Sequence, residues 1–294
     1  MAIDATKGLI SLADAKRFMG LGDADTSQDR LIDQLITQGS VLIAKELGYA
    51  PIRQTYREWR DGDNGLNLWL INVPIAWVDQ ASVGRDDVMS VQYGGTAARA
   101  SVSVTSAALR LRSVISGTDA VTELSLSDYS TATALGTAVG AVSGWEAQVS
   151  SAFASADPVD LVPIPGRDAN TAWVDLEAPT ESEADYELAD EEAGRLYNPY
   201  GWTYGHRNIF IRYAAGWERA NLPEPLQSAA QELTKMLTDM ASRDMTLKSE
   251  KIGDYAYTIA DTLAAVFAGS GDEKTSGMIS AKLAPYRRQL VFGA

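Results

Sequence analysis

The chain offers little from which a catalytic or metal centre can be assembled, because it holds one histidine and no cysteine. That histidine, His206, lies among Tyr, Gly and Asn residues. A Ser-His-Asp or Cys-His arrangement, or a His-rich zinc site, needs partners this composition does not supply. Asp61-Gly62-Asp63-Asn64-Gly65 resembles the opening of a calcium loop, but the bidentate Glu required at the twelfth position is Asn72. It reads as a tight turn. Glu181, Glu183, Asp185, Glu187, Asp190, Glu191 and Glu192 offer carboxylates of the kind glycoside hydrolysis uses. Strung along one segment, they read instead as a solvated face. No Gly-x-x-x-x-Gly-Lys motif occurs, and Lys7, Lys248, Lys251, Arg287 and Arg288 are too scattered to cradle a phosphate. Trp145, Trp173, Trp202 and Trp217 can in principle stack on sugar rings, but aromatics at such positions more often anchor cores and interfaces. The expectation is no enzyme, no cofactor and no metal.

The elements that would position these residues belong to a folded chain of 294 residues, 46% apolar and 22% charged. The formal charge of −14 is unevenly placed. Residues 85–205 hold 6 Lys/Arg against 18 Asp/Glu, whereas the rest is close to balanced. Phosphate-gripping affinity comes from clustered cations, so specific nucleic-acid binding is not expected. No apolar run reaches the roughly 18–20 residues that span a bilayer, and Met1 to Ala5 lacks the basic start of a signal peptide. Synthesis in a cytoplasm is the expectation.

Along the chain, Ser11 caps a short helix to Met19 and a longer one runs to about Leu47, with Leu31, Ile32, Leu35, Ile36, Leu42, Ile43 and Leu47 at helical spacing. Ile52–Trp59 and Leu66–Leu70 flank the Asp/Gly/Asn turn and read as a hairpin. Residues 101–105, 108–115 and 121–127 alternate as strands, and Thr131–Val142 is helical. Pro158, Pro163 and Pro165 suggest a linker. Ile209–Tyr213 is a strand, and Pro223 and Pro225 open a helix striped by Leu226, Ala230, Leu233 and Leu237. A last helix spans roughly Ser276 to Tyr286. The fold class expected is α+β: a mostly helical domain with a small β-hairpin, made of residues 1–84 and 206–294, interrupted by a β-rich acidic α/β domain at 85–205.

The two ends resemble the head–tail connector (adaptor, or head completion) family of tailed bacteriophages. The resemblance rests on Leu9-Ile10-Ser11-Leu12-Ala13-Asp14-Ala15-Lys16, on Asp29 to Ile36, and on Glu46-Leu47-Gly48-Tyr49. It continues through Asn72-Val73-Pro74-Ile75, Ile211-Arg212-Tyr213-Ala214-Ala215-Gly216-Trp217, and Leu222 to Ala229. Ser249 to Tyr257 and Leu283 to Arg288 complete it. In order and spacing these pieces cover a little over half the chain. The resemblance implies a non-enzymatic virion protein at the head–tail junction, about twelve copies forming a ring under the portal. The implied partners are the portal protein, neighbouring copies, the next tail-proximal protein (a stopper or tail terminator) and genomic DNA passing without specific binding, with no membrane.

Two surfaces follow as candidates. Ile252, Tyr255 and Tyr257, with Tyr286, Arg287, Arg288, Leu290 and Phe292, form an expected portal or neighbour interface, the first three on either an arm or a local hairpin. Glu187, Asp190, Glu191 and Glu192 form an expected acidic face that either lines the DNA channel, repelling phosphates, or points outward and aids solubility. The alternative reading is a glycan-binding virion component acting through Trp/Tyr loops of the middle domain.

Overall fold

The computed structural model describes residues 8–241, 249–252, 255–258 and 276–287. In chain order the elements are α1 (Leu12–Met19), α2 (Asp29–Leu47), β1 (Gln54–Gly62), β2 (Asn67–Trp69) and β3 (Ile75–Val83). Then come β4 (Arg85–Tyr93), β5 (Arg99–Val104), β6 (Ala108–Ile115), β7 (Thr118–Ser125), α3 (Ala132–Gly140), β8 (Trp145–Val149), β9 (Ile164–Asp168) and β10 (Val174–Pro179). β11 (Glu187–Asp190), β12 (Arg195–Tyr197), β13 (Gly205–Ala215), α4 (Glu224–Ala241), β14 (Ser249–Ile252), β15 (Tyr255–Thr258) and α5 (Ser276–Leu283) complete the described chain.

The protein is mostly antiparallel β-sheet, which overturns the expectation of a mostly helical domain carrying one small hairpin. The long strands β1, β3 and β13 all lie in the stretches assigned to that helical domain. Ile52–Trp59 and Ile209–Tyr213 are legible singly as strands, but their long-range pairing, with β3 completing the sheet, is not. In β13 Ile209, Phe210, Ile211, Tyr213, Ala214 and Ala215 are all buried, so the polar alternation that marks a half-exposed strand is missing.

Helices do build one end. Ser11 Oγ accepts from the Asp14 N–H and donates to the Asp14 carboxylate, which starts α1. Lys16, on α1, is buried. Its ammonium donates to Asp23 O at 3.1 Å, Asp25 O at 2.6 Å and Asp29 Oδ1 at 2.9 Å, so all three donors are used and the α1–α2 loop is wrapped around them. Helix α2 begins without a side-chain cap and stops at Gly48, whose φ of 82° closes the last turn. Its buried stripe of Ile32, Leu35, Ile36, Ile43 and Leu47 packs with Leu222, Leu226, Ala229, Ala230 and Leu233 of the α4 region and with Ile279 and Leu283 of α5. Gly39 lets the helices approach, its missing Cβ lying 3.6 Å from Leu233.

The middle layer is a small sandwich. One sheet has the order β1-β13-β3 and the other β11-β12-β2. Ile209, Ile211, Tyr213 and Ala215 face the second sheet, meeting Leu68, Leu70, Leu196 and Trp202. The expected hairpin between β1 and β2 is therefore absent. The two strands lie in different sheets because the turn between them is claimed by Trp202, whose backbone bonds Asn64 N and Gly65 O at 2.8 Å each. Trp202 itself is fully buried.

The third unit contains a sheet of order β10-β4-β8, a sheet of order β7-β6-β5-β9 and α3. Its core draws only on residues 88–178, including Val91, Val102, Leu111, Leu135, Trp145 and Leu176. The β5, β6 and β7 strands and α3 fall where the alternation and spacing put them, and Thr131 caps α3 by accepting from Ala134 N. The proline-rich stretch is no linker. Residues 158–160 form a 3₁₀ turn, and β9, with Pro165, is an edge strand on β5, a position where a missing N–H is tolerated. The acidic segment 181–192 joins the sandwich instead, through Ala184, Tyr186 and Leu188.

Helical head and sandwich meet at Gly216. Its φ is 99°, and an added Cβ would sit 2.8 Å from both Ile52 C and Pro51 O. The close approach is fixed by hydrogen bonds from Gly216 N to Pro74 O and from Trp217 N to Pro51 O, both 2.8 Å. Gly216→Ala is expected to lower stability by about 3 kcal/mol or more in urea unfolding. Gly117→Ala, at a positive-φ glycine with open space around it, is expected to cost only about 1 kcal/mol.

Candidate functional site

The predicted interface residues that the structure describes fall in two segments, 252–257 and 286–287. β14 and β15 pair only with each other among the described residues, in the register Ile252↔Tyr255 and Glu250↔Tyr257. That register gives Ile252, Tyr255 and Tyr257 positions on one face of the ribbon. Tyr286 is engaged within the chain's own core. Its ring meets Trp217 edge-on at 5.9 Å, and its carbonyl accepts from the Tyr49 hydroxyl at 2.8 Å. Arg287 pairs with Glu46 of α2 and donates to Ser280 Oγ at 2.9 Å. Arg288, Leu290 and Phe292 lie outside the described residues.

The acidic candidates lie on and after β11. Glu187 is exposed opposite Tyr197; Glu191 and Glu192 are exposed; Asp190 is half-buried and its carboxylate accepts from Ala193 N at 2.9 Å. No cation pairs with them among the described residues, so the segment carries uncompensated negative charge.

His206 meets Asp61 at 3.0 Å with both side chains well exposed. Asp61 is held below the usual carboxylate range, first by the Arg207 N–H and then by His206. No group of three or more His, Cys, Asp or Glu residues is placed to hold a metal among the described residues. No described helix is long and apolar enough to cross a membrane. Of the tryptophans weighed as sugar platforms, Trp145 and Trp202 are buried. The aromatics displayed on the 198–205 loop are Tyr200 and Tyr204, 83% and 77% exposed.

Two polar clusters escaped the sequence reading. In the sandwich, Tyr213 OH donates to Glu58 Oε1 and accepts from Asn72 N at 3.1 Å and Asn72 Nδ2 at 3.2 Å. This holds the Asn72-Val73-Pro74 turn, where the Val73–Pro74 bond is cis. On the opposite sheet face, Arg57 and Arg212 sit directly across from each other on β1 and β13. Asp160 lies between them, 2.7 Å from Arg57 Nε and 3.1 Å from Arg212 Nη1, and Asp157 adds a contact to Arg57 at 3.2 Å. Burial raises the Asp160 carboxyl above its ordinary range although both arginines pull it down. Positions 57, 160 and 212 give no local sign of meeting. Only strand register reveals them.

Solved chains from a gene transfer agent particle resemble this one. A chain from the neck of an empty gene transfer agent particle, computed with C6 symmetry, is 14% identical with a TM-score of 0.42, covering 100% of this chain and 96% of that one. A chain from the virion of the native gene transfer agent particle is 12% identical with a TM-score of 0.38, again covering 100% and 96%. No protein-family model matches the chain, and no curated protein does. At such distance the functional reading rests on the residues themselves.

Tyr49 and Tyr213 carry a pH consequence. Burial first, then Tyr286 for one and Glu58 for the other, pushes both hydroxyls well above the ordinary 10.0. Above pH 10.0 they stay protonated in the folded chain but ionise on unfolding. Their contribution is thus complete below pH 10.0 and lost as pH rises beyond it. Tyr49→Phe is expected to flatten the alkaline decline in stability, measured by urea titration at a series of pH values from neutral upward.

Proposed function

We propose that the protein is a structural component of a tailed-phage-like virion, a head–tail connector subunit that forms a ring on the portal and carries the DNA channel toward the tail. The observation that carries this reading is the convergence of the family-like segments. Leu9, Ile10 and Ala15, then Ile32, Leu35, Leu47 and Tyr49, share one core with Leu222, Leu226, Leu233, Ile279 and Leu283, with Tyr286 packed against it. Segments as far apart in the chain as Leu9 and Leu283, similar to the connector family in order and spacing, thus form a single unit. Gly216 and the Asn72-Val73-Pro74 turn, which belong to the same resemblance, fix the seam between that unit and the sandwich.

The β14–β15 ribbon supports a partner-binding role. A two-stranded ribbon is marginal by itself in water, and this one pairs with no other described strand. Ile252, Tyr255 and Tyr257 are its proposed contacts with the portal or a neighbouring copy. The unpaired carboxylates of Glu187, Glu191 and Glu192 suit a surface past which DNA slides without adhering. Glycan binding through the middle region is the weaker reading, because Trp202 has no exposed ring face to offer.

Mass photometry and negative-stain imaging of the full chain with its cognate portal test the proposal. The expected outcome is closed rings of this chain added coaxially to the portal, whether or not the free chain is monomeric. A stable, folded chain that leaves portal particles unchanged in mass would overturn it.

A further inference from the structure

The geometry points to a hinged arm: residues 85–179 form a body of their own, latched to the central sheet by Asp160 between Arg57 and Arg212. The inference is independent of the connector reading and rests on three observations. The arm's hydrophobic core takes no residue from outside 88–178, so it does not depend on the sandwich to fold. The chain enters and leaves it at adjacent points. Gly84, at φ +113°, precedes β4, and Thr180, just after β10, donates its N–H to Gly84 O at a long 3.4 Å. Away from this junction the polar attachments share one polarity, cations from the sheet and acceptors from the arm's 157–163 segment. They are the Asp160 and Asp157 pairs and a bond from Arg207 Nη1 to Pro163 O at 2.5 Å.

Charge pairing favours the closed latch and hydration favours the open one. Closed, one carboxylate neutralises two guanidinium groups that strand register forces together, and like charges directly opposite are otherwise destabilising. Against this, closing strips water from Asp160, and opening rehydrates all three charges. A joint of this composition, with a separate core on each side, favours movement of the arm as a body over unfolding.

Amide hydrogen exchange on the full chain tests this, comparing wild type in low salt, wild type in 1 M NaCl (roughly a 3 Å screening length) and Asp160→Asn. The arm model expects the Thr180 amide, whose bond to Gly84 O closes the joint, to exchange roughly tenfold faster or more in the variant. Core amides such as Val91, Val102 and Ile211 should keep wild-type rates, and a larger radius of gyration should appear in small-angle scattering. High salt should move the wild type in the same direction and the variant little. Unchanged junction exchange in both the salt and the variant arms would overturn the latch. Junction and core amides accelerating together would equally overturn it, since that is global destabilisation. Should Asp160→Asn fail to fold, the wild-type salt comparison decides alone.

Discussion

Strand β13 must be covered on both faces, and the architecture follows from that constraint. One face, through Ile209, Ile211, Tyr213 and Ala215, demands the second sheet of the sandwich. The other, through Phe210 and Ala214, is buried as well. Arg212 is the charged residue the strand carries on that second face, opposite Arg57, and it can stay there because Asp160 arrives from a separate body of the fold. A strand buried on both sides thus recruits two different partners, one through apolar packing and one largely through charge.

The sequence disclosed the local features well. The Ser11 cap, the Gly48 stop, the α2 and α4 stripes and the alternating strands β5 to β7 all depend on neighbours within a few residues, and periodicity reports such relations. What stayed hidden depends on distant pairing. β1 pairs with β13, not with β2, across about 150 residues of chain. Lys16 looks like a surface lysine of an amphipathic helix until its loop is seen to fold around it. The helical weight given to the ends came from the family-like segments, which are helical at their outer parts and strand-forming nearer the middle. Of the candidate site, the hairpin and the exposed acidic run were legible as segments. The inward use of Tyr286 and Arg287 was not, because Tyr49, Trp217 and Glu46 are remote in sequence.

The described residues divide into parts with different surfaces. The helical head gathers the family-like segments, the sandwich displays uncompensated carboxylates and two exposed tyrosines, and the β-rich body sits on a polar joint. Such a division suits a part that must bind one component, hold its place among copies of itself and present a different surface to the next component. The proposed ring uses the first of these surfaces for the portal and leaves the others free for the channel and for tail-side contacts.

The most direct measurement is to locate the protein in the particle that contains it, by electron cryomicroscopy of the intact head–tail junction. The account predicts a closed ring of density at the portal's tail-side face, into which the helical head fits against the portal and the β-rich body projects away from it. Finding the chain elsewhere in the particle, or as a single copy off the channel axis, would contradict the account.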